Sequence, residues 1–321
     1  MSQGVAPAQR AEARDPADAQ GRLLRSGRLW LWVLLVGGLV WILTAFVAGL
    51  TDVEHLIANV VLLGSFLVPV ALVLFALSRT GEGHLTAESV ILGFLAGGML
   101  GTVFAALTEV YFVPTAAGTY IGVGFFEETA KALVVVAAGT MVTERRGRDG
   151  MILGATVGAG FAAFETAGYA LQTFVKHLDD HAVLDVVSTE AQRGVLAPFG
   201  HLTWTALVGG AIFAAWRGAK FGPVAPLAWT FAGVVALHAA WDATYGWAIL
   251  IAKGVAGDGW EAEWPDTESW IGSPTGGELT TYNLAYAVFV GLNALIGTVW
   301  LIRIWRAYGA AASEAVSDVT A

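Results

Sequence analysis

The chain reads as a series of long apolar runs separated by short polar breaks. A run of about 20 predominantly apolar residues is long enough to cross hydrocarbon as a helix. A strand is excluded there, because an open sheet edge would leave backbone groups unpaired. Eight such runs occupy 29–50, 56–78, 89–108, 119–143, 151–176, 194–216, 224–252 and 281–304. The expected fold is therefore all-α, a polytopic bundle of about eight transmembrane helices within a domain at 29–305. Residues 1–28 are polar, carry five arginines and are expected as a disordered tail, with 306–321 as a second tail. The first tail is not read as a cleaved signal peptide, because the run after it exceeds the roughly 7–15 apolar residues of such peptides. Glycine-rich stretches such as 154–168 are expected to let helices approach closely.

Composition agrees with this pattern and narrows the chemistry. Only 13% of the 321 residues are charged and the mean hydropathy is +0.65, whereas soluble domains carry about 25% charged residues. A pI near 5.1 without a basic stripe argues against nucleic acid as a partner. There is no cysteine, so disulfides, a thiol nucleophile and thiolate-held metal are all excluded.

The loops orient the chain. Thirteen Lys and Arg fall on the side of the two termini and three, Lys176, Arg193 and Lys253, on the other. Positive charge collects on the cytoplasmic side, so both termini are expected there. The acidic loop 253–280 is then extracytoplasmic. It carries Trp260, Trp264 and Trp270, and either touches a substrate ectodomain or rests at headgroup depth.

Charges inside the spans are the informative residues, since each costs about 2.5–3.5 kcal/mol at the bilayer centre on insertion scales. They are concentrated in four consecutive runs: Phe126-Glu-Glu-Thr-Ala-Lys131, Phe161-Ala-Ala-Phe-Glu165, Pro198-Phe-Gly-His201-Leu-Thr-Trp204 and His238-Ala-Ala-Trp-Asp242. Residues i and i+4 share a helix face, which pairs Glu127 with Lys131 and His238 with Asp242. Counted from the expected outer ends, Glu127, Glu165, His201, His238 and Asp242 lie seven to fourteen residues in. At 1.5 Å per residue that is one layer roughly 10–20 Å deep. With all four carboxylates ionised and Lys131 charged, the layer sums to −3. Burial penalises such a set, so it must take up protons or bind a cation. Histidine and carboxylate donors suit zinc or a similar divalent ion, and a spare carboxylate can act as general base on water. A hydrolase follows, with an ion- or proton-coupled transporter as the rival use of the same layer.

The set Glu127-Glu128-x-x-Lys131, Phe161-x-x-x-Glu165 and His238-x-x-x-Asp242, together with the span around His201, resembles the motifs of the PrsW family of bacterial intramembrane proteases. The likeness spans roughly 29–305. It implies a multi-pass protein of the bacterial plasma membrane that cuts a single-span membrane-anchored substrate, such as an anti-sigma factor, on its extracytoplasmic side. The wider clan includes prenyl-protein endopeptidases, whose motifs have His and Asn where this chain has Glu165 and Asp242. It also includes a non-catalytic membrane scaffold, a third reading of the fold. The motifs of other intramembrane proteases, His-Glu-x-x-His, Gly-x-Gly-Asp and Gly-x-Ser-Gly, are absent from the spans.

The catalytic residues are expected to be Glu127, Glu128 and Lys131. Glu127 or Glu128 is the base, and Lys131 neutralises a glutamate or stabilises the oxyanion. His201 and His238 are expected to bind a divalent metal, zinc by preference, or to polarise the scissile carbonyl without one, and Glu165 and Asp242 to complete the ligand set or orient the histidines.

Overall fold

A computed structural model describes residues 28–51, 54–78, 85–112, 119–176, 182–217, 220–256 and 274–320. The expected N-terminal tail and most of the acidic loop, with its three tryptophans, lie outside the described residues. The protein is an all-α bundle. Its helices are α1 (Leu29–Thr51), α2 (Glu54–Ser78), α3 (Ala87–Phe112), α4 (Thr119–Gly139), α5 (Gly147–Lys176), α6 (Ala182–Leu196), α7 (His201–Ala215), α8 (Ala225–Asp242), α9 (Thr244–Ala256) and α10 (Gly276–Thr320). The one extended feature among the described residues is a two-residue antiparallel pairing of Trp216–Arg217 with Lys220–Phe221.

Among the described residues, six segments are long and apolar enough to cross a membrane, seven if the bent pair α8–α9 counts as one. Helix α4 has 21 residues but carries Glu127, Glu128 and Lys131 along its middle, which sets it apart from those segments by composition.

Two of the expected runs are interrupted, and both interruptions bear on function. The run at 194–216 begins as α6, passes through a 3-10 turn at Ala197–Phe199 and restarts at His201. Pro198 has no N–H to give a continuous helix and its ring crowds the preceding turn. The Pro198 carbonyl instead accepts from Thr203 Oγ1 at 2.6 Å. The run at 224–252 bends by 47° between α8 and α9. There Thr244 Oγ1 donates to the Ala240 carbonyl at 3.0 Å, a back-bond that bends helices. The last helix continues to Thr320, well past the expected end of its span at 304.

Burial is reversed relative to a water-soluble protein. Helices α1 and α10 leave large apolar side chains open on most of their surface, among them Leu39, Phe46, Leu292 and Ile296, as lipid-facing helices do. Helix α5 is the hub and packs against α2, α3, α4, α6, α7 and α10. Its closest partner is α7, and glycine makes that approach possible. A Cβ at Gly154 would be driven into the Thr205 carbonyl and one at Gly158 into the His201 carbonyl. Small residues at four-residue spacing let membrane helices meet backbone to backbone. Below the charged layer the interior is filled by Val135, Leu153, Val157, Leu207, Ile212 and Phe213.

The crossing generates a prediction. Gly158→Ala forces α5 away from the His201 turn, and overpacking of this kind costs about 1–3 kcal/mol. The purified variant should melt at a lower temperature in detergent than the wild type. An unchanged melting temperature would show that the crossing tolerates a methyl group.

Candidate active site

The bundle brings all seven expected residues together. Lys131 stands near their centre, fully buried. Its Nζ lies 2.7 Å from Glu128 Oε1 and 3.1 Å from Glu127 Oε2. It also lies 2.8 Å from His201 Nδ1 and 4.1 Å from the centre of the Phe161 ring. Glu127 and Glu128 are neighbours in sequence, yet one ammonium holds both, because i,i+4 and i,i+3 positions each face back to it.

The hydrogen bonds assign the histidine tautomers. An ammonium only donates, so His201 Nδ1 accepts from Lys131 and the ring proton sits on Nε2. That proton is donated to Glu165 Oε2 at 2.9 Å. His238 donates from Nδ1 to Glu128 Oε1, also at 2.9 Å. Each histidine is thus fixed by a carboxylate on one nitrogen and presents the other towards Glu127. His238 is held further by Trp204, which stacks on it at 4.6 Å between ring centres and is itself fully buried.

This arrangement leaves electron-rich atoms facing one another. His238 Nε2 lies 3.5 Å from Glu127 Oε2 and 3.5 Å from Asp242 Oδ2. Asp242 Oδ2 is buried and has no hydrogen-bond partner. Imidazole nitrogens and carboxylate oxygens gathered in this way are the donor chemistry that a cation satisfies. Glu127, His201 and His238 each offer a ligand atom within 4.8 Å of the others. Two histidines and a glutamate also match the donor set of zinc peptidases. The residues present therefore fit a divalent ion. Among the expected donors, Glu165 and Asp242 lie outside that converging trio. Glu165 is bound to the far nitrogen of His201, and Asp242 stands to the side of His238.

The two adjacent glutamates differ in access. Glu128 is 0% exposed, with Oε1 shared by Lys131 and His238 and Oε2 sealed from solvent without a partner. Glu127 is 7% exposed and lines a cleft of about 570 Å³ between α3 and α5, together with Glu109 and Glu165. A second cleft, of about 270 Å³, holds Glu165, Arg193, His201, Trp241, Asp242 and Tyr286. Glu165 and Tyr169 line both, so the two clefts adjoin at these residues.

Arg193 is the residue that the sequence reading missed. Expected in an outer loop, it is on α6, where Nη2 pairs with Glu165 Oε2 and Nε donates to Thr166 Oγ1 at 3.0 Å. The signal lay in the buried positions Ala182, Val186 and Glu190, whose four-residue spacing marks a helix face. Glu190 anchors that helix on its other side, accepting from Trp41 Nε1 at 3.0 Å and Ser65 Oγ at 3.1 Å. Glu109 lines the first cleft, with Oε1 buried and unpaired.

Comparison with known proteins adds one finding. The PrsW-protease family model, described as PrsW family intramembrane metalloprotease, matches residues 26–257, a stretch that contains all seven residues expected from the sequence. No curated protein and no solved structure matches the chain.

The unequal burial of the two glutamates can be tested by stability alone. Breaking a buried ion pair from one side costs about 3–5 kcal/mol. Glu128→Leu strands Lys131 and His238 and should lower the melting temperature strongly. Glu127→Gln keeps a polar group at a partly open position and should lower it much less. Equal losses would mean that the two carboxylates are equivalent in the fold.

Proposed function

The chain belongs to the PrsW family of intramembrane metalloproteases, and we propose that it hydrolyses a peptide bond of a single-span, membrane-anchored protein. By resemblance that substrate is anti-sigma-factor-like and is cut towards the outer leaflet of a bacterial plasma membrane. The observation that carries the reading is the convergence of Glu127, His201 and His238 on one partly open point inside a polytopic bundle.

In this proposal the substrate backbone lies across Glu165, where the two clefts adjoin. Glu127 activates the attacking water. Its Oε2 engages Lys131, while Oε1 has no partner among the described residues and belongs to a side chain that lines the cleft. A positioned carboxylate of this kind accepts the water proton and returns it to the leaving amine. Glu128 does not share this role, because its bonds to His238 and Lys131 hold it sealed away from the cleft. Glu128 and Glu165 orient the two imidazoles, as carboxylates do behind histidine ligands. Arg193 holds Glu165 in place from α6.

A zinc ion would be held by the His201 and His238 imidazoles, with the Glu127 carboxylate beside them within reach. When bound, such an ion polarises the scissile carbonyl and lowers the pKa of the attacking water. Lys131, which bonds His201 Nδ1 at 2.8 Å, would then be left with its two glutamates. Lys131 then carries the charge compensation of the site.

The rival use of the layer, as an ion or proton relay, meets the apolar interior beneath it. Leu153, Val157, Leu207 and Phe213 are almost fully buried there, with Thr156 and Thr205 as uncharged polar groups among them.

Purified protein reconstituted with candidate single-span substrates tests the proposal. Glu127→Gln and His238→Ala should lower cleavage by at least about 100-fold, the usual size of a lost acid–base group. Wild-type rates in both variants would sink the assignment. Metal analysis of the same samples should find zinc in the wild type and a clear loss of it in a His201→Ala/His238→Ala double variant. Equal zinc in the two would remove the histidines from the ligand set.

A further inference from the structure

The site absorbs two clefts, but a third cavity lies apart from it. It is a groove of about 610 Å³ between α2, α5, α7 and α10, within the size range of small-molecule sites, about 300–1,000 Å³. Its walls are apolar, with Leu72, Phe75, Met151, Leu202, Leu301 and Trp305 among them. Two further grooves of similar size, one beside α1 and α3 and one beside α3 and α4, are lined without a single charged side chain. This one differs in having Arg148 and Arg306 among its lining residues.

Both arginines sit at the same end. Arg148 is in the first turn of α5, and Arg306 follows Trp305 on α10. Arg148 is fixed in place, because Nε donates to the Trp305 carbonyl at 3.0 Å and the guanidinium lies 4.8 Å from the centre of the Trp305 ring. Arg306 is exposed and makes no hydrogen bond or ion pair among the described residues. No acidic side chain lines the groove. The result is an apolar slot with two guanidinium groups at one end, on the side to which the loop charges assign the cytoplasm.

We propose that this groove binds an anionic glycerophospholipid of the inner leaflet. Its phosphate is held between Arg148 and Arg306, and one acyl chain runs along α5 and α7. Charge complementarity selects this occupant. A neutral lipid uses the slot but gains nothing from the arginines, and a basic peptide is repelled by them. Basic pockets between helices on the cytoplasmic side recognise anionic headgroups in this way. The far end of the groove reaches Pro198, Leu202 and Thr203, the turn that starts α7 at His201. A bound acyl chain therefore braces the back of the turn that carries a site histidine, without entering either substrate cleft.

Native mass spectrometry of the full chain, exchanged into equal dioleoylphosphatidylglycerol and dioleoylphosphatidylcholine, tests the site independently of any cleavage assay. The wild type should retain the anionic lipid in clear preference. Arg306→Gln removes no bond within the protein and should cut that preference about fivefold, the factor for losing one cation beside an anionic lipid. Arg148→Gln/Arg306→Gln should abolish it. Ala155→Leu, which fills the apolar wall and spares both charges, should lower retention of both lipids. Equal retention of the two lipids by the wild type would overturn the proposal, as would an unchanged preference in Arg306→Gln.

Discussion

Hydrocarbon offers a buried charge no water to hydrogen-bond, so the ionisable groups of this bundle must satisfy one another. That constraint organises the protein. Lys131 is surrounded by Glu127, Glu128, His201 and the Phe161 ring, and Arg193 closes the network on Glu165 from a separate helix. Breaking one such pair strands a charge in a medium of low dielectric, which costs far more than losing a surface pair. The helices that carry these groups are therefore tied to one relative arrangement.

Ordinary packing could not bring them close enough. The contacts near 3 Å between residues of α4, α5, α7 and α8 require helix axes to approach closely, and glycine on α5 provides this at the α7 crossing. The breaks in the helices matter as much. The Pro198 turn starts α7 at His201, and the bend after Asp242 ends α8 beside the site. Irregular backbone at membrane depth is tolerated where it is buried in protein, and here it positions the polar side chains.

The neighbouring glutamates show how one helix turn divides labour. Successive residues on a helix point about 100° apart. Glu128 turns into the protein to hold His238, and Glu127 turns towards the cleft. The same carboxylate chemistry is sealed as a support in one case and left open to the cleft in the other, by direction alone.

Much of this was legible in the sequence. Length and apolarity of the runs specify a helical membrane bundle, because no other structure satisfies the backbone in lipid. Four-residue spacing placed Lys131 with Glu127 and Asp242 with His238, and the scarcity of charge singled out the residues that the bundle brings together. The motif set was also enough to suggest the family that the match over 26–257 establishes. Arg193 was not legible as a site residue, because only the packing of α6 turns it from the bilayer surface to Glu165. Nor was the donor trio: Glu127, rather than Glu165 or Asp242, joins the two histidines. Spacing within a helix is a local property that the chain carries with it. Which face of one helix meets which face of another depends on rotation and crossing angle, and only the assembled tertiary structure decides those.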